Sequence, residues 1–412
     1  MVRTAVKSQK KIHSAYRPDI LIVSRVFHPE PGGIQDYVYS RCLETPERVV
    51  VLTANCPDAI SFDQAQSFRV YRWLMPDAWN NKLAKWGTVG GILKQIWYLI
   101  NEFLGGLWLF VRYRYRYLEW GHGYDFPALW LLSRLLPVHT IVYLHGNDLL
   151  CPLRHRSLKF AFYRTLAIAD PVVCNSRFTC EYLNQHLVNS LSTSKINTMV
   201  INPGVIEQRF PGADTLQAQY QLRQKIRARW QLAENAIAIL SVGRLVRRKG
   251  FDRVIASFPM LLSEGLNVYY LICGKGPLED ELRSQVLSLN LEERILFAGY
   301  VPDEDLSGYY AACEIFAMPT YYEPTARSIE GFGIVYREAG YFGKPVIATR
   351  IGGVADAVHH LESGLLLPPD SGMEELTASL SVLCHDSSLR AWLGEKGREI
   401  ASVPNFECLP HL

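Results

Sequence analysis

Short apolar runs rich in β-branched residues alternate along the chain with longer stretches in which apolar residues recur at helical spacing. In the first half the apolar runs are DILIVS, RVVVLTA, HTIVYLHG, PVVCNS and TMVINPG. In the second half they are AIAILSVGR, VYYLICGKG, ILFAGY, EIFAMPT and PVIATR. Uniformly apolar strands that alternate with helices are typical of parallel sheets with helices on both faces. The pattern therefore predicts an α/β protein with two doubly wound domains in series.

The length of the chain supports this division. A chain of 412 residues is longer than one hydrophobic core normally accommodates. We place the joint near Pro203 and Gly204, before a polar helical segment at 214–232. The predicted domains are residues 1–204 and residues 205–412.

Composition narrows the class of protein. Hydrophobic residues make up 49% and charged residues 20%, which is ordinary for a folded soluble protein. The net charge of +3 is too small to indicate a nucleic-acid partner. Nine cysteines form no CxxC pair and no metal-like spacing with histidine, which favours reduced thiols in a cytoplasmic protein. The basic first residues lack the apolar core of a signal peptide.

Candidate binding residues follow the strands of the first half, where ligands bind in open parallel sheets. Gly32 and Gly33 precede a helix that we predict to begin at Ile34, and such glycines let backbone N–H groups approach an anion or a sugar. A plain turn with a helix cap is the alternative. His145 and Asp148 follow another strand, in HGND, where a neutral histidine can hydrogen-bond a substrate hydroxyl. A structural role is the alternative for both of these residues.

The segment GRLVRRKG opens the second half, directly after a predicted strand. Arg244 and Lys249 lie in its strand-to-helix loop, with Gly250 leading into the helix. Cations in such a loop can neutralise a diphosphate without a metal ion. We expect Arg247 and Arg248 to be solvated, and a solvated basic loop is the alternative for the whole segment.

The segment EGFGIVYREAGYFGKP predicts a buried helix with a free N-terminus. Apolar residues at helical spacing begin at Ile334, and Gly343 and Pro345 end the helix. Gly331 and Gly333 lie at the start, where unpaired N–H groups and the positive end of the helix dipole favour an anion.

Two carboxylates flank this helix start. Glu338 lies about one turn inside, where a carboxylate can accept two hydrogen bonds from a diol such as that of ribose. Glu330 precedes the helix, where it can meet sugar hydroxyls or the junction of sugar and phosphate. The alternatives are a helix cap for Glu330 and a surface acid for Glu338.

The segments GRLVRRKGFD, CGKGP and EGFGIVYREAGYFGKPVIATRIGG, in this order, resemble the retaining glycosyltransferases of family 4, which have the GT-B fold. PGGIQDY and EGFGIVYREA are most similar to bacterial phosphatidyl-inositol mannosyltransferases and their relatives. The resemblance covers nearly the whole chain. It implies two Rossmann-like domains that face a cleft, with the acceptor bound mainly by the first and a nucleotide-sugar donor by the second.

The resemblance also implies roles for matching residues. Arg244 and Lys249 would hold the donor diphosphate, and Glu330 would lie at the transferred sugar. His145 would contact that sugar near its O6 and completes the implied catalytic set. The further donor-binding positions are Gly33 at the phosphates, Val301 at the nucleobase, Gly331, Phe332, Gly333 and Ile334 beside the sugar, and Glu338 at the ribose.

Two features depart from the family pattern. Lys275 stands in the GxGP turn, where the family usually has an acidic residue. The chain ends at SVPNFECLPHL, soon after its last helical segment, whereas the family ends with a helix that crosses back to the first domain.

Together with the resemblance, these residues predict a retaining, metal-independent hexosyltransferase that needs no cofactor and acts on a lipid or glycan acceptor. The resemblance to mannosyltransferases implies that the sugar is mannose, from GDP-mannose. UDP-glucose is the second choice of donor. The basic loop and helix start would stabilise the departing diphosphate without a metal ion. One alternative is a nucleotide-sugar 2-epimerase, which needs a carboxylate base near the sugar C2. Another is a catalytically inactive subunit that binds a glycan or a lipid carrier.

Residues 92–118 combine aromatic, aliphatic and basic side chains, with arginine and tyrosine alternating over 112–117. Lys94, Glu102 and a Gly-Gly pair make the segment a poor transmembrane span. It fits an interfacial helix on the cytoplasmic surface of a membrane, with snorkelling arginines. It also fits a helix packed on the sheet of the first domain and followed by a strand.

Overall fold

The structure is a computed structural model that describes residues 16–74, 87–154, 156–188, 196–322, 328–401 and 406–409. The chain forms two units, which we call unit 1 (residues 1–203 and 405–412) and unit 2 (residues 204–404). The division after Pro203 differs by one residue from the joint that the sequence predicts. The predicted second domain ran to residue 412, and this part of the prediction is wrong because residues 405–412 belong to unit 1.

The apolar runs of the first half form a parallel sheet in unit 1. Its strands, in the order β3-β2-β1-β4-β5-β6-β7 across the sheet, are β1 (Ile20–Val23), β2 (Val49–Ala54), β3 (Arg69–Trp73), β4 (Tyr117–Trp120), β5 (His139–Leu144), β6 (Val172–Cys174) and β7 (Thr198–Val200). The described helices are α1 (Gly33–Glu44), α2 (Ala59–Ala65), α3 (Gly87–Tyr113), α4 (Phe126–Leu135), α5 (Asn147–Arg154), α6 (Arg156–Leu166) and α7 (Arg177–Val188). The central strands are buried and apolar because helices cover both faces of the sheet.

Unit 2 repeats this topology with one strand fewer. Its parallel strands, in the order β10-β9-β8-β11-β12-β13, are β8 (Ile237–Val242), β9 (Val268–Cys273), β10 (Ile295–Gly299), β11 (Ile315–Met318), β12 (Val346–Thr349) and β13 (Gly364–Leu367). Its described helices are α8 (Leu216–Arg229), α9 (Phe251–Ser263), α10 (Glu279–Ser288), α11 (Asp303–Ala312), α12 (Ile334–Tyr341), α13 (Val354–Ala357), α14 (Met373–His385) and α15 (Ser387–Ala401). Strand order reverses between β1 and β4 in unit 1 and between β8 and β11 in unit 2.

The C-terminal segment returns to unit 1 and packs there by apolar contact. Phe406, in a 3-10 turn over Phe406–Cys408, is fully buried, and so is Leu409. The ring of Phe406 meets that of Tyr37 edge to face, with 5.3 Å between centroids. A short apolar anchor therefore ties residues 406–409 to unit 1.

Helix α3 accounts for most of the amphiphilic segment 92–118. One side of α3 packs on the sheet of unit 1, where Leu109 is fully buried and Phe103 is partly buried. The opposite side is exposed to solvent and is also apolar, and we call it the apolar face of α3. Its members are Val89, Ile92, Leu93, Ile96, Ile100, Leu104, Trp108 and Val111. Within the described ranges, none of the helices could span a lipid bilayer on its own, and this includes α3.

Candidate functional site

The predicted donor residues of unit 2 come together where its strand order reverses. Lys249 lies in the loop after β8, and Glu330 lies in the segment that follows β11. These neighbouring strands run parallel, so both side chains stand at the carboxyl edge of the sheet. A reversal of strand order leaves a crevice at this edge, which is where open α/β sheets bind ligands.

Glu330 forms the centre of this site. One of its oxygens, Oε2, accepts a hydrogen bond from Arg248 Nη1 at 2.6 Å and another from Lys249 Nζ at 2.6 Å. Burial raises the pKa of the Glu330 carboxyl, but Lys249 and Arg248 outweigh burial and lower it to about 2. Its second oxygen, Oε1, has no hydrogen bond to any residue that the structure describes. The carboxylate is therefore ionised, fixed in place and able to accept a further hydrogen bond.

The expectation that both arginines beside Lys249 are solvated is wrong for Arg248 and right for Arg247. Arg247 is exposed and pairs with the exposed Glu281, whereas Arg248 is partly buried and points at Glu330. Arg244, predicted to hold the diphosphate, is exposed and pairs with none of the described residues. The loop thus offers one cation to solvent at Arg244 and holds two against Glu330.

The helix predicted to begin at Ile334 does so, and its first turn lacks a side-chain cap. The residue before it, Gly333, has a φ of 87°, in the left-handed region that favours glycine. A Cβ atom there would lie 2.4 Å from the ring of Tyr336. Gly331 and Phe332 are buried just ahead of this turn. The first N–H groups of α12 are thus available for an anion.

Glu338 is buried, with only 2% of the residue exposed, so the surface-acid alternative is wrong. Its Oε1 accepts a hydrogen bond from Arg209 Nη1 at 2.7 Å, and its Oε2 accepts one from Tyr310 at 2.6 Å. The remaining nitrogens of the Arg209 fork bind both oxygens of Asp303, at 2.8 and 2.9 Å. Nothing in the sequence around Arg209 or Tyr310 indicated that they hold Glu338, because both residues lie far from it along the chain.

The loops after β8, β9 and β10 are tied to one another at the same edge. Gly274, in the GxGP turn, donates its N–H to the carbonyl of Gly299 at 2.7 Å. A Cβ atom on Gly274 would lie 1.9 Å from the carbonyl oxygen of Gly243, so only glycine allows this approach. Val301 lies two residues after Gly299, is partly buried and packs against the core of unit 2. Lys275, in the GxGP turn, is exposed.

In unit 1, Gly33 is the first residue of α1, one position before the predicted start. His145 is buried after β5, and its Nε2 lies 2.9 Å from the carbonyl oxygen of Gly121. Because a carbonyl can only accept, Nε2 donates, and burial lowers the pKa of His145 below its usual value. Asp148 is fully buried and accepts N–H groups from His145 and Gly123 at 2.9 and 2.8 Å. This favours the structural alternative for Asp148.

Both the sequence and the fold are similar to those of known proteins. Residues 223–400 match the family described as Glycosyl transferases group 1. A GDP-mannose-dependent monoacylated alpha-(1-6)-phosphatidylinositol monomannoside mannosyltransferase of Corynebacterium glutamicum is 25% identical over 387 residues, which is 92% of this chain and 92% of that protein. A GDP-mannose-dependent alpha-(1-6)-phosphatidylinositol monomannoside mannosyltransferase of Mycobacterium tuberculosis is 28% identical over 214 residues, which is 52% of this chain and 55% of that protein. The chain thus spans about half the length of this relative.

Solved structures match both units. Sucrose-phosphate synthase from Thermosynechococcus elongatus has 23% identity and a TM-score of 0.70, over 93% of this chain and 94% of that chain. The Anabaena protein HepE in complex with UDP has 19% identity and a TM-score of 0.69, with the same coverage. The fold is that of the GT-B glycosyltransferases, as predicted from the sequence. Within unit 2, residues 223–400 are similar to the group 1 glycosyltransferase family.

Proposed function

We propose that this protein is a retaining, metal-independent hexosyltransferase that moves mannose from GDP-mannose to a lipid or glycan acceptor. The observation that carries the proposal is the group formed by Glu330, Lys249 and Arg248 at the carboxyl edge of unit 2. An ionised carboxylate with one unused oxygen stands there beside two cations and an uncapped helix N-terminus.

The charges of this site suit the departure of a nucleoside diphosphate. Bond cleavage at the sugar leaves negative charge on the diphosphate, and fixed positive groups stabilise that charge without reorganising. Lys249 and the N-terminus of α12 supply it directly, while the exposed Arg244 is free to close on the phosphates. These groups replace the divalent ion that other transferases use.

Glu330 orients the sugar in this proposal. Its Oε2 is occupied by the two cations, so its Oε1 is the atom that accepts a hydrogen bond from a sugar hydroxyl. Glu338 binds the ribose diol in this proposal. Its carboxylate already accepts hydrogen bonds from Arg209 and Tyr310. Each carboxylate oxygen can accept a second hydrogen bond, so the ribose need not displace either partner.

Support for GDP-mannose comes from the names of the phosphatidylinositol mannoside mannosyltransferases to which the chain is similar. The Anabaena protein HepE has been solved with UDP-glucose, which keeps UDP-glucose as the second donor. A thermal-shift panel with GDP-mannose, UDP-glucose and UDP-N-acetylglucosamine separates them. We expect GDP-mannose to give the largest shift, and a shift with UDP-glucose but none with GDP-mannose would reverse the choice.

Support for a lipid acceptor comes from the apolar face of α3. Exposed apolar side chains on the neighbouring helix α4 extend it, namely Trp130, Leu131 and Leu135. Exposed Arg112 and the partly buried Lys94 flank the face. A helix with one side in the core and an apolar outer side flanked by cations suits attachment to an anionic membrane surface. In this proposal the protein works at the cytoplasmic face of a membrane without spanning it.

The direct test is the stereochemistry of donor turnover. Purified protein is incubated with GDP-α-mannose, with water as the acceptor, and NMR follows the free mannose that is released, before mutarotation. The proposal requires GDP release with an α-anomeric product. A β product would exclude retention, an epimerised nucleotide sugar would indicate the 2-epimerase, and donor binding without turnover would indicate an inactive binding subunit.

A further inference from the structure

A second group of ionisable side chains is buried in unit 1, where strand order reverses between β1 and β4. Glu102 comes from α3, and His122 and Asp125 follow the carboxyl end of β4. All three residues are fully enclosed. Each offers a nitrogen or oxygen atom to a space in which these atoms lie within 4.8 Å of one another. This group lies outside the candidate donor site and is independent of the proposed transfer reaction.

The carboxylates of this group lack donors. Among the described residues, neither oxygen of Glu102 has a hydrogen-bond partner, and Oδ2 of Asp125 has none either. The other oxygen of Asp125 accepts a hydrogen bond from the side-chain amide of Gln95 and lies 3.5 Å from Arg25 Nη1. Buried carboxylates are normally hydrogen-bonded, paired with a cation or bound to a metal ion. Three carboxylate oxygens without donors, enclosed together, therefore indicate a bound cation.

Arg25 does not balance these charges. Its side chain is 21% exposed, and its guanidinium lies 4.5 Å from the ring centroid of Tyr124, so water screens part of its charge. Glu102 and Asp125 are sealed from water and would carry two negative charges as metal ligands. One divalent ion matches them.

We propose that Glu102, His122 and Asp125 bind a divalent transition-metal ion, for which zinc is the best match. One imidazole nitrogen and two carboxylates form a mixed donor set that suits zinc better than magnesium or calcium, which prefer oxygen ligands alone. Three protein ligands leave a fourth position for water.

Binding requires a small local rearrangement. Nε2 of His122 lies 3.7 Å from Oδ2 of Asp125 and accepts the backbone N–H of Arg25 at 3.0 Å. Zinc–ligand distances are about 2.0–2.2 Å, so the three side chains must close around the ion. An ion at Nε2 displaces the N–H of Arg25, which lies in the loop between β1 and α1. The metal would thus tie α3 to the loop after β4 and release one bond of the β1–α1 loop.

Thermal unfolding of EDTA-stripped full-length protein, with and without zinc, tests the proposal. We expect zinc to raise Tm in the wild type, and to have no such effect in Glu102→Gln or His122→Gln. The controls are Glu181→Gln and His139→Gln, which change exposed residues of the same types in unit 1. Both controls should retain the zinc-dependent shift.

Cobalt(II) provides a second readout, because cobalt in a four-coordinate site has a strong visible absorption. Wild-type protein should develop this band with one equivalent of cobalt, and His122→Gln should lose or alter it even if Glu102→Gln fails to fold. In the alternative, one of the two carboxyl groups is protonated and donates a hydrogen bond to the other. Glu102→Gln will then be at least as stable as the wild type, and no metal will change the Tm of either protein. That result, or equal zinc shifts in the wild type and both ligand variants, would overturn the proposal.

Discussion

A single oxygen of Glu330 accepts hydrogen bonds from two cations, and this arrangement decides what the carboxylate can do. Without a cationic partner, a carboxylate at this partly buried edge would be hydrated. It would have to lose bound water, at a cost in free energy, before it could accept a hydrogen bond from the sugar. Arg248 and Lys249 remove that cost by fixing Oε2 and the charge, which leaves Oε1 as the acceptor. In the proposed donor complex, the contact with Glu330 also keeps Lys249 beside the diphosphate.

The two acids should respond differently to removal of their charge. Glu330→Gln should lower kcat more than it weakens donor binding, because Glu330 is placed at the reacting sugar. Glu338→Gln should mainly weaken donor binding, since the loss of a charge-assisted hydrogen bond to the ribose costs roughly 1.5–3 kcal/mol. Steady-state kinetics and calorimetric donor binding measure the two effects. Equal effects on turnover and affinity in both variants would show that these roles are assigned wrongly.

Tyr310→Phe separates the structural and the binding role of Glu338. The change removes one hydrogen bond to Glu338 and leaves the ion pair with Arg209 in place. We expect a loss of stability of about 1 kcal/mol, with donor affinity unchanged or higher because Tyr310 no longer competes with the ribose for Oε2. If Tyr310→Phe weakens donor binding as much as Glu338→Gln does, then Glu338→Gln weakens binding through the lost contact with Tyr310 and not through a lost contact with the ribose.

The low pKa of Glu330 makes folding stability depend on pH. Its folded pKa is about 2, below its usual value of 4.5, so the folded state favours the ionised form. This contribution is complete above the unfolded pKa and is lost as pH falls toward 2. It amounts to about 3 kcal/mol by linkage. Relative to Glu330→Gln, the wild type should lose stability in urea unfolding as the pH falls from about 5 to about 3. If the difference in free energy of unfolding between the two proteins does not change with pH, the ion pairs of Glu330 do not contribute to stability as stated.

The residues of the donor site differ in how far the sequence determines them. Glu330 and Lys249 could be identified because each lies in a local pattern, between glycines and a helix start or after a strand. Arg248 could not, since adjacent arginines look alike until the backbone turn over Arg247–Lys249 directs one toward solvent and the other inward. Arg209 was missed because its fork joins residues that are distant along the chain.

At the scale of elements, one side of α3 confirms the core interpretation of segment 92–118, and the membrane-surface interpretation stays a prediction for the exposed side. One side of the helix is core and the other is exposed, because the segment is apolar all round and only one side can face the sheet. A sequence pattern without a polar face cannot tell which side is buried. The structure resolves this by placing Phe103 inward and Ile96 outward.

The exposed side allows a membrane test that leaves the core intact. Replacing Ile92, Ile96 and Leu104 with serine should abolish co-flotation with anionic vesicles, because the apolar contribution of about 25 cal/mol per Å² is removed. Basic residues near the surface contribute about 1 kcal/mol each, so binding should also weaken with salt. The matched control replaces three exposed apolar residues of unit 2 with serine, at Leu216, Met260 and Leu287. Failure of the wild type to float, or equal loss in the control, would exclude this surface.

The ten strands predicted from apolar runs are all present, whereas β3, β4 and β13 were not among those runs. Strand β3, RVYRW, was hidden by its arginines. Arg72 is nonetheless buried, because it forms a two-pronged ion pair with Asp63 at 2.8 Å. Strand β13 is only four residues long. A hydrophobic pattern along the chain cannot predict an ion pair with a distant residue, and it gives only a weak signal for a strand of four residues.

For the whole molecule, metal independence of transfer and metal binding in unit 1 must be separated. The donor site supplies its own positive charge, so transfer should survive EDTA. The decisive protein is Glu102→Gln, which lacks the proposed zinc site and should transfer equally well with and without EDTA. If EDTA abolishes transfer by this variant, and magnesium or manganese restores it, the metal-independent account of the donor site is wrong.

The most direct test of the central claim is calorimetric titration of the full-length protein with GDP and with guanosine. If Lys249 holds the diphosphate together with Arg244 and the N-terminus of α12, wild-type protein should bind GDP more tightly than guanosine. Lys249→Met should weaken GDP binding by about tenfold or more, or at least 1.4 kcal/mol, without changing guanosine binding. Arg247→Met is the matched control, because Arg247 is exposed and pairs with Glu281, and it should bind GDP as the wild type does. Unchanged GDP affinity in a folded Lys249→Met protein would contradict the account.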